Sequence, residues 1–302
     1  MTPDYHTYCL ETPDLPLFMR DWWMDAVCVG KHWELIAGMP CLMRERVGMR
    51  FVVMPQQTQI GGRWLQGEGC RVQEVADEIT KALREKRLDY YYQHFPIGSP
   101  LPEELAKRGF SIRKHTTYRI ENLQDLETIR HGYSENKKRQ IRKAAALELV
   151  EMNPERFYIF HKKCLKDQGK EIAYSEAFFR SLDAACQAHE ARKILGLQDT
   201  NGALHAAVYL VYDRNTCYFL IPCYAPQFGS SGAGARIVDE AIAFASAHSK
   251  AFDFEGSMIP GVANHYAQFG STPAYFYEVE KVYNPLFRVV KKVYHLMTRR
   301  KR

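Results

Sequence analysis

The sequence predicts a soluble α/β protein with about two domains of mixed sheet flanked by helices. Its 302 residues are 46% hydrophobic and 25% charged, the composition of an ordinary globular protein. Helical and strand patterns alternate along the chain, with no internal repeat and no low-complexity segment. No apolar run approaches the roughly 18 residues that a membrane span needs, so we expect no spanning segment.

The first half has the pattern of one α/β unit. The predicted elements are a helix over 15–29, strands over 32–39 and 49–54, a helix over 71–87, a strand over 89–95, a helix over 102–108 and a strand over 110–121. Val75, Ile79 and Leu83 recur every four residues, as on a helix face, and Gly109 suits a helix end. We place the domain division near 122–135, which gives modules at 1–130 and 131–302.

The second half repeats this style of alternation. The predicted elements are helices over 154–168 and 175–189, strands over 193–198, 203–212 and 216–222, a glycine-rich turn, a helix over 232–249, a strand over 251–255, a helix over 262–269 and a strand over 274–282. Asn284 and Pro285 suit the cap and first turn of a final helix.

The cysteines predict neither disulfides nor a metal site. All eight are scattered, with no CxxC and no Cys/His group at zinc-ligand spacing, so we expect reduced, mostly buried thiols and no metal. The first 14 residues contain Asp4, Glu11 and Asp14 and do not resemble a secretory signal. We therefore expect a cytoplasmic protein.

The net charge of +6 is concentrated at one end of the chain. Eight of the 41 basic residues and no acid lie in 281–302, which leaves 33 basic and 35 acidic residues elsewhere. One face of the predicted final helix carries Arg288, Lys291, Lys292, His295 and Arg299. Such a helix either docks by its apolar face or binds an anionic membrane surface, which would give peripheral contact at the inner membrane face through 285–302.

The turn 229–235 (GSSGAGA) comes between a predicted strand and a predicted helix. A helix that begins on small residues presents free N–H groups and the positive end of its dipole, which suits a phosphate. The Walker A motif needs Lys after Gly234, the dinucleotide fingerprint needs glycine at Ile237, and GxSxG is absent. The turn is therefore either a phosphate cradle or a tight connection in which the glycines only permit packing.

Two carboxylates lie near the end of the predicted strand 251–255. In an extended chain Asp253 and Glu255 face the same side, about 7 Å apart, while Phe252 and Phe254 point into a core. A carboxylate flanked by aromatic rings can have a raised pKa and act as a general base. The alternative is that Asp253 caps or pairs with a cation while Glu255 faces solvent.

The order of strand, glycine-rich turn, helix, strand and helix resembles the core of the GNAT acyltransferase superfamily. Its turn reads Arg/Gln-x-x-Gly-x-Gly/Ala and holds the coenzyme A pyrophosphate. Gly232 and Gly234 match this pattern, whereas Gly229 replaces the Arg or Gln.

Three segments extend the resemblance over most of the chain. FDFEGSM at 252–258, followed by a helix and Phe-Gly, is similar to the C-terminal module of FemAB-type proteins, which are tandem GNAT-fold transferases. WWMDAVC at 22–28 resembles their opening helix, and RQIRKA at 139–144 resembles the basic segment that begins their second module. The resemblance implies two tandem GNAT-like modules.

The resemblance also implies acyl transfer. We favour an acyl group moving from a coenzyme A or carrier thioester to an amine, because the basic surface for tRNA is limited. The alternatives are transfer from aminoacyl-tRNA to a peptidoglycan precursor, and a binding module without catalysis. The acceptor is then a small molecule or a cell-wall precursor.

The candidate site residues follow from these segments. Glu255 and then Asp253 are the candidate bases, with His265 as a rival, and Tyr224 or Tyr266 is the candidate proton donor. The donor cradle comprises Gly229, Ser230, Ser231, Gly232, Ala233 and Gly234. Candidate substrate-binding residues are Trp23, Arg139, Arg142 and Lys143. The basic run 137–143 is otherwise a solvated helix face.

Overall fold

The computed structural model describes residues 4–65, 71–256 and 260–287. The helices are α1 (Tyr5–Glu11), α2 (Asp21–Val27), α3 (Val72–Glu85), α4 (Leu101–Lys107), α5 (Leu126–His131), α6 (Glu135–Lys143), α7 (Pro154–Asp167), α8 (Glu176–Ala188), α9 (Ala233–Ser246) and α10 (Pro260–Ala267). The strands are β1 (His32–Ile36), β2 (Met39–Arg46), β3 (Met49–Val53), β4 (Tyr90–Phe95), β5 (Ser111–Ile120), β6 (Glu148–Glu151), β7 (Arg192–Gln198), β8 (Leu204–Tyr212), β9 (Thr216–Tyr224), β10 (Ala251–Asp253) and β11 (Thr272–Val282).

The backbone forms two compact units. Unit 1 comprises the described residues of 1–11, 18–115 and 275–302, and unit 2 comprises those of 12–17 and 116–274. The chain enters unit 2 within β5 and returns to unit 1 within β11. The division into modules at 1–130 and 131–302 stays a prediction, since the compact units divide the chain at other places.

Unit 1 is a mixed sheet with α3 and α4 packed in its core. Strands β1, β2 and β3 form an antiparallel meander, β3 pairs in parallel with β4, and β4 pairs antiparallel with β11. The predicted strand over 32–39 joins β1 to the first residue of β2. Residues 37 and 38 form the hairpin turn with φ of 48° and 68°, and Ala-Gly is a weaker turn signal than Asn-Gly.

The predicted helix over 15–29 is wrong. Residues Leu17–Met19 form one 3-10 turn, Arg20 is extended with ψ of 148°, and α2 begins only at Asp21. The extended backbone at Arg20 breaks the helical pattern, so the apolar spacing of this segment does not produce one continuous helix.

Unit 2 has helices on both faces of its sheet strands. Its strand order is β5-β10-β9-β8-β7-β6, and only the β10–β9 pair is parallel. Ala206, Val208 and Leu210 of β8 pack with α9, whereas Tyr209 meets Phe157 of α7 on the opposite face. This two-sided burial explains the nearly continuous apolar run of β8.

The described cysteines are free and buried, as predicted; they are Cys9, Cys28, Cys41, Cys164, Cys186, Cys217 and Cys223. The basic face predicted for the final helix begins at Arg288 and lies outside the described residues, as do Cys70, Ser257 and Met258. Within the described ranges no helix is both long and apolar enough to cross a bilayer.

Candidate active site

The candidate site lies in unit 2, where two parallel strands separate. Strand β10 pairs with β9 over only three residues, ending at Asp253 opposite Tyr218. Strand β9 continues to Tyr224 along β8, whereas the N–H of Phe254 donates to the carbonyl of Tyr118 on β5 at 3.0 Å. Among the described residues β9 therefore has no pairing with β10 beyond Tyr218, and this separation of β9 from residues 254–256 is called the gap below.

Asp253 is fully buried and occupied by hydrogen bonds. Its Oδ1 accepts from Thr117 Oγ1 at 2.5 Å and from the N–H of Glu255 at 2.8 Å. Its Oδ2 lies 3.1 Å from Arg119 Nη1. The contact with Arg119 fits the expected pairing of Asp253 with a cation, and the bond to the Glu255 N–H holds the following backbone in place.

The predicted extended geometry of Asp253 and Glu255 is wrong. Strand β10 ends at Asp253, and Glu255 and Gly256 have φ of 63° and 74°. A Cβ at Gly256 would lie 2.6 Å from the carbonyl oxygen of Thr116, so the chain turns sharply against β5. Because of this turn, the Glu255 side chain does not follow the alternation of side chains between the two faces of a strand.

Glu255 has the properties expected of a base held in a low-dielectric site. Its Oε1 is buried and has no hydrogen-bond partner among the described residues. Burial raises the pKa of Glu255 well above its usual value, and the nearby Asp253 raises it further.

Tyrosine side chains line the same region. Burial, reinforced by Glu255, raises the pKa of Tyr266 to about 12. The pKa of Tyr224 is raised by burial and by Tyr266. These phenols keep their protons at neutral pH and can donate them. Tyr266 is fixed by stacking on Phe254, with ring centroids 4.5 Å apart.

The glycine-rich turn leads into α9 beside these tyrosines. Gly232 is the N-cap residue with φ of 83°, and a Cβ at Gly234 would meet the ring of Tyr224 at 3.5 Å. Within the described residues, no group accepts a hydrogen bond from the N–H of Gly232 or Gly234, whereas Ala233 N–H donates to Ser231 Oγ. Gly229 and Ser230 are exposed.

Gly232 also has a packing role. A Cβ there would lie 2.1 Å from the backbone oxygen of Gln140 in α6. Arg236 joins the same two helices, because its Nη1 donates to the carbonyls of Ala144 and Leu147. The glycine is thus required by helix packing whether or not the turn binds a phosphate.

Lys137 was not singled out from its basic run, yet it is buried. It is 3% exposed, and its Nζ lies 2.8 Å from His265 Nδ1. A cationic lysine only donates, so it occupies the His265 lone pair. Burial and Lys137 together lower the pKa of His265 to about 4, which makes it a poor base. Nothing in the sequence distinguishes Lys137 from its neighbours.

The predicted substrate-binding residues are separated. Arg139, Arg142 and Lys143 are exposed on α6, as expected for a solvated face. Trp23 is fully buried in unit 1, where its Nε1 donates to Thr58 Oγ1 at 3.0 Å. The indole of Trp23 therefore packs in the core, and a substrate-binding role for it stays a prediction.

Comparisons with known proteins identify the family and the fold. The Acetyltransferase (GNAT) domain model matches residues 112–265. The structure is similar to FemX, with a TM-score of 0.69 at 10% identity, over 96% of this chain and 99% of that one. L-PGS from Bacillus licheniformis matches with a TM-score of 0.57 at 11% identity, over 92% and 97%.

A conserved protein of unknown function from Bacteroides thetaiotaomicron gives a TM-score of 0.57 at 12% identity, over 85% of this chain and 88% of that one. No curated protein matches the chain. The predicted α/β fold of tandem GNAT type is confirmed.

Proposed function

The chain belongs to the Acetyltransferase (GNAT) domain family, and on that premise we propose that it transfers an acyl group from a coenzyme A or carrier thioester to an amine. The observation that carries the proposal is the separation of β9 from β10 beside the first turn of α9. An extended donor would meet the edge of β9, the N-terminus of α9 and the buried carboxylate of Glu255.

The gap suits an extended thioester arm. Beyond Tyr218, strand β9 has lost β10 as a neighbour, so an arm that contains amides can pair with its edge as an added strand. The phosphates at the far end of the arm then meet the N–H groups of Gly232 and Gly234, where the α9 dipole favours negative charge.

Glu255 is the proposed general base. Its raised pKa suits removal of a proton from the attacking amine, which forms the new N–C bond as the C–S bond breaks. The departing sulfur takes a proton from Tyr266 or Tyr224, both of which remain protonated at neutral pH.

Two matched pairs of variants test the donor site and the base. Ser230→Glu adds a charge at an exposed position of the turn and should weaken coenzyme A binding about fivefold to tenfold in calorimetry, whereas Ser230→Gln should not. Glu255→Gln should keep binding but lower thiol release from acetyl-coenzyme A with a panel of amines about 100-fold or more. Glu171→Gln, exposed in the same unit, is the control.

Failure of the intact protein to bind coenzyme A would overturn the coenzyme donor, and binding to an acylated carrier protein would then support the carrier thioester. Full turnover by Glu255→Gln would overturn the assignment of the base. Unchanged partner binding in the Glu255 and Asp253 variants without any turnover would indicate a binding module without catalysis.

Transfer from aminoacyl-tRNA is the second candidate, and similarity to FemX over 96% of the chain favours it. The exposed cations of α6 would contact the tRNA backbone. Arg139→Gln with Arg142→Gln should then weaken binding of charged tRNA and reduce its salt dependence. Absence of tRNA binding at low salt would remove this candidate.

Contact of 285–302 with an anionic membrane stays a proposal, tested by liposome co-sedimentation with and without that segment.

A further inference from the structure

Unit 1 brings together two histidines and a glutamate that are far apart in the sequence. Strands β4 and β11 place Glu278 directly opposite His94, and His115 of β5 completes the group. One imidazole nitrogen from each histidine and one carboxylate oxygen lie within 4.8 Å of one another. His115 Nε2 is 3.0 Å from Glu278 Oε2.

The hydrogen bonds around His94 fix which nitrogen faces the group. His94 Nδ1 lies 2.8 Å from the backbone oxygen of Gln59. A carbonyl oxygen only accepts, so Nδ1 carries the proton and Nε2 presents its lone pair to the group. In metal sites, a hydrogen bond from the ring nitrogen that does not bind the ion orients the histidine.

Hydrogen bonds already join the members of the group. Tyr92 Oη lies 3.0 Å from His94 Nε2 and 3.2 Å from Glu278 Oε2, and His115 Nε2 lies 3.0 Å from the same Glu278 oxygen. Tyr92 can donate to His94 while His115 donates to Glu278, so a bound cation would take the place of these two protons.

Burial strengthens the attraction between Glu278 and a cation. The Glu278 side chain is 7% exposed, and the nearest guanidinium nitrogen, Arg113 Nη2, is 3.5 Å from its Oε1. Phe276 stacks on His115 at 5.3 Å and lies 5.2 Å from His94. A carboxylate beside apolar walls gains from a closely held positive charge.

We propose that His94, His115 and Glu278 bind a divalent transition-metal ion, with Zn²⁺ as the probe. Two imidazoles and one carboxylate form a ligand set that Zn²⁺ accepts, and three protein ligands leave at least one position for water or an added ligand. Zn²⁺ binds such ligands at about 2.0–2.2 Å, and binding through His115 Nε2 requires the His115 proton to be on Nδ1. Sequence spacing missed the group because three strands contribute one residue each.

The test uses the full chain after removal of metals by a chelator. Equilibrium dialysis against Zn²⁺ or Co²⁺ should give one bound ion per chain, and Glu278→Gln or His94→Asn should weaken binding at least tenfold. The matched controls Glu280→Gln, on the same face of β11, and His32→Asn, exposed on β1, should bind as the parent does. Near-ultraviolet circular dichroism without metal verifies that each variant is folded.

A measurement on the unaltered protein keeps the test independent of folding in the variants. X-ray absorption of the Zn²⁺-loaded chain should show two imidazoles with oxygen ligands and no sulfur. Absence of a stoichiometric ion, sulfur ligands from the cysteines, or equal binding by Glu278→Gln and the parent would each overturn the proposal.

Discussion

Replacing Gly232 with alanine should strongly destabilise unit 2. Its φ of 83° is left-handed, and an alanine there costs about 1–2 kcal/mol. The new Cβ would also lie 2.1 Å from the backbone oxygen of Gln140, and overpacking of this kind costs about 1–3 kcal/mol. The expected total is about 2–5 kcal/mol.

The obstructing atom cannot move cheaply. Gln140 O belongs to the backbone of α6, and the carbonyls of Ala144 and Leu147, just after this helix, accept hydrogen bonds from Arg236. Displacing α6 would break these bonds, so relaxation does not remove the cost.

Urea unfolding of Gly232→Ala and Gly234→Ala measures the effect with an internal control. Gly234 is helical, and a Cβ there makes ordinary contact with Tyr224 at 3.5 Å, so we expect a change within about 1 kcal/mol. Equal stability of the two variants would refute the reasoning. A Gly232 variant would therefore be a poor test of donor binding, because displacement of α6 and α9 alone could abolish it. Ser230 is exposed, so a substitution there changes the turn without this clash.

Glu255→Gln should stabilise unit 2 at pH 7 but not below about pH 4.5. Because the pKa of Glu255 is raised in the folded state, a rise in pH past the usual glutamate pKa ionises this group first in the unfolded chain, which favours unfolding of the parent. A difference in urea midpoint between variant and parent that is the same at pH 4 and pH 7 would contradict this. Lys137→Met should raise the pKa of His265 from about 4 only part of the way to 6.5, because burial, the larger cause, remains; an NMR titration that shows no change would exclude an effect of Lys137. Arg119→Met should cost about 3–5 kcal/mol because it leaves the buried Asp253 carboxylate without its cation. Adding Asp253→Asn should recover part of that loss in thermal unfolding, and no recovery would count against the ion pair.

Features governed by near neighbours in the chain could be predicted from the sequence. The N-cap residues of α6, α7 and α8 are Ser134, Asn153 and Ser175, and each side chain accepts a hydrogen bond from the backbone N–H three residues later. Strand β9, the glycine-rich turn and α9 follow one another as predicted, because propensity, glycine and apolar spacing act over a few residues.

One local prediction failed where a distant segment decides the conformation. Glu255 leaves the extended conformation because Asp253 holds its N–H and because Gly256 packs against the backbone at Thr116. Alternation alone carries no information about either contact.

The sequence by itself therefore determined the fold class, most elements of unit 2 and the identity of the residues near the gap. Only the tertiary structure decided that Lys137 is buried against His265, that Gly232 is needed by α6, and that Glu255 Oε1 has no hydrogen-bond partner among the described residues. The physical reason is that burial, desolvation and backbone clashes depend on which distant segments meet, whereas helix caps, turns and strand patterns depend on residues that are adjacent in the chain.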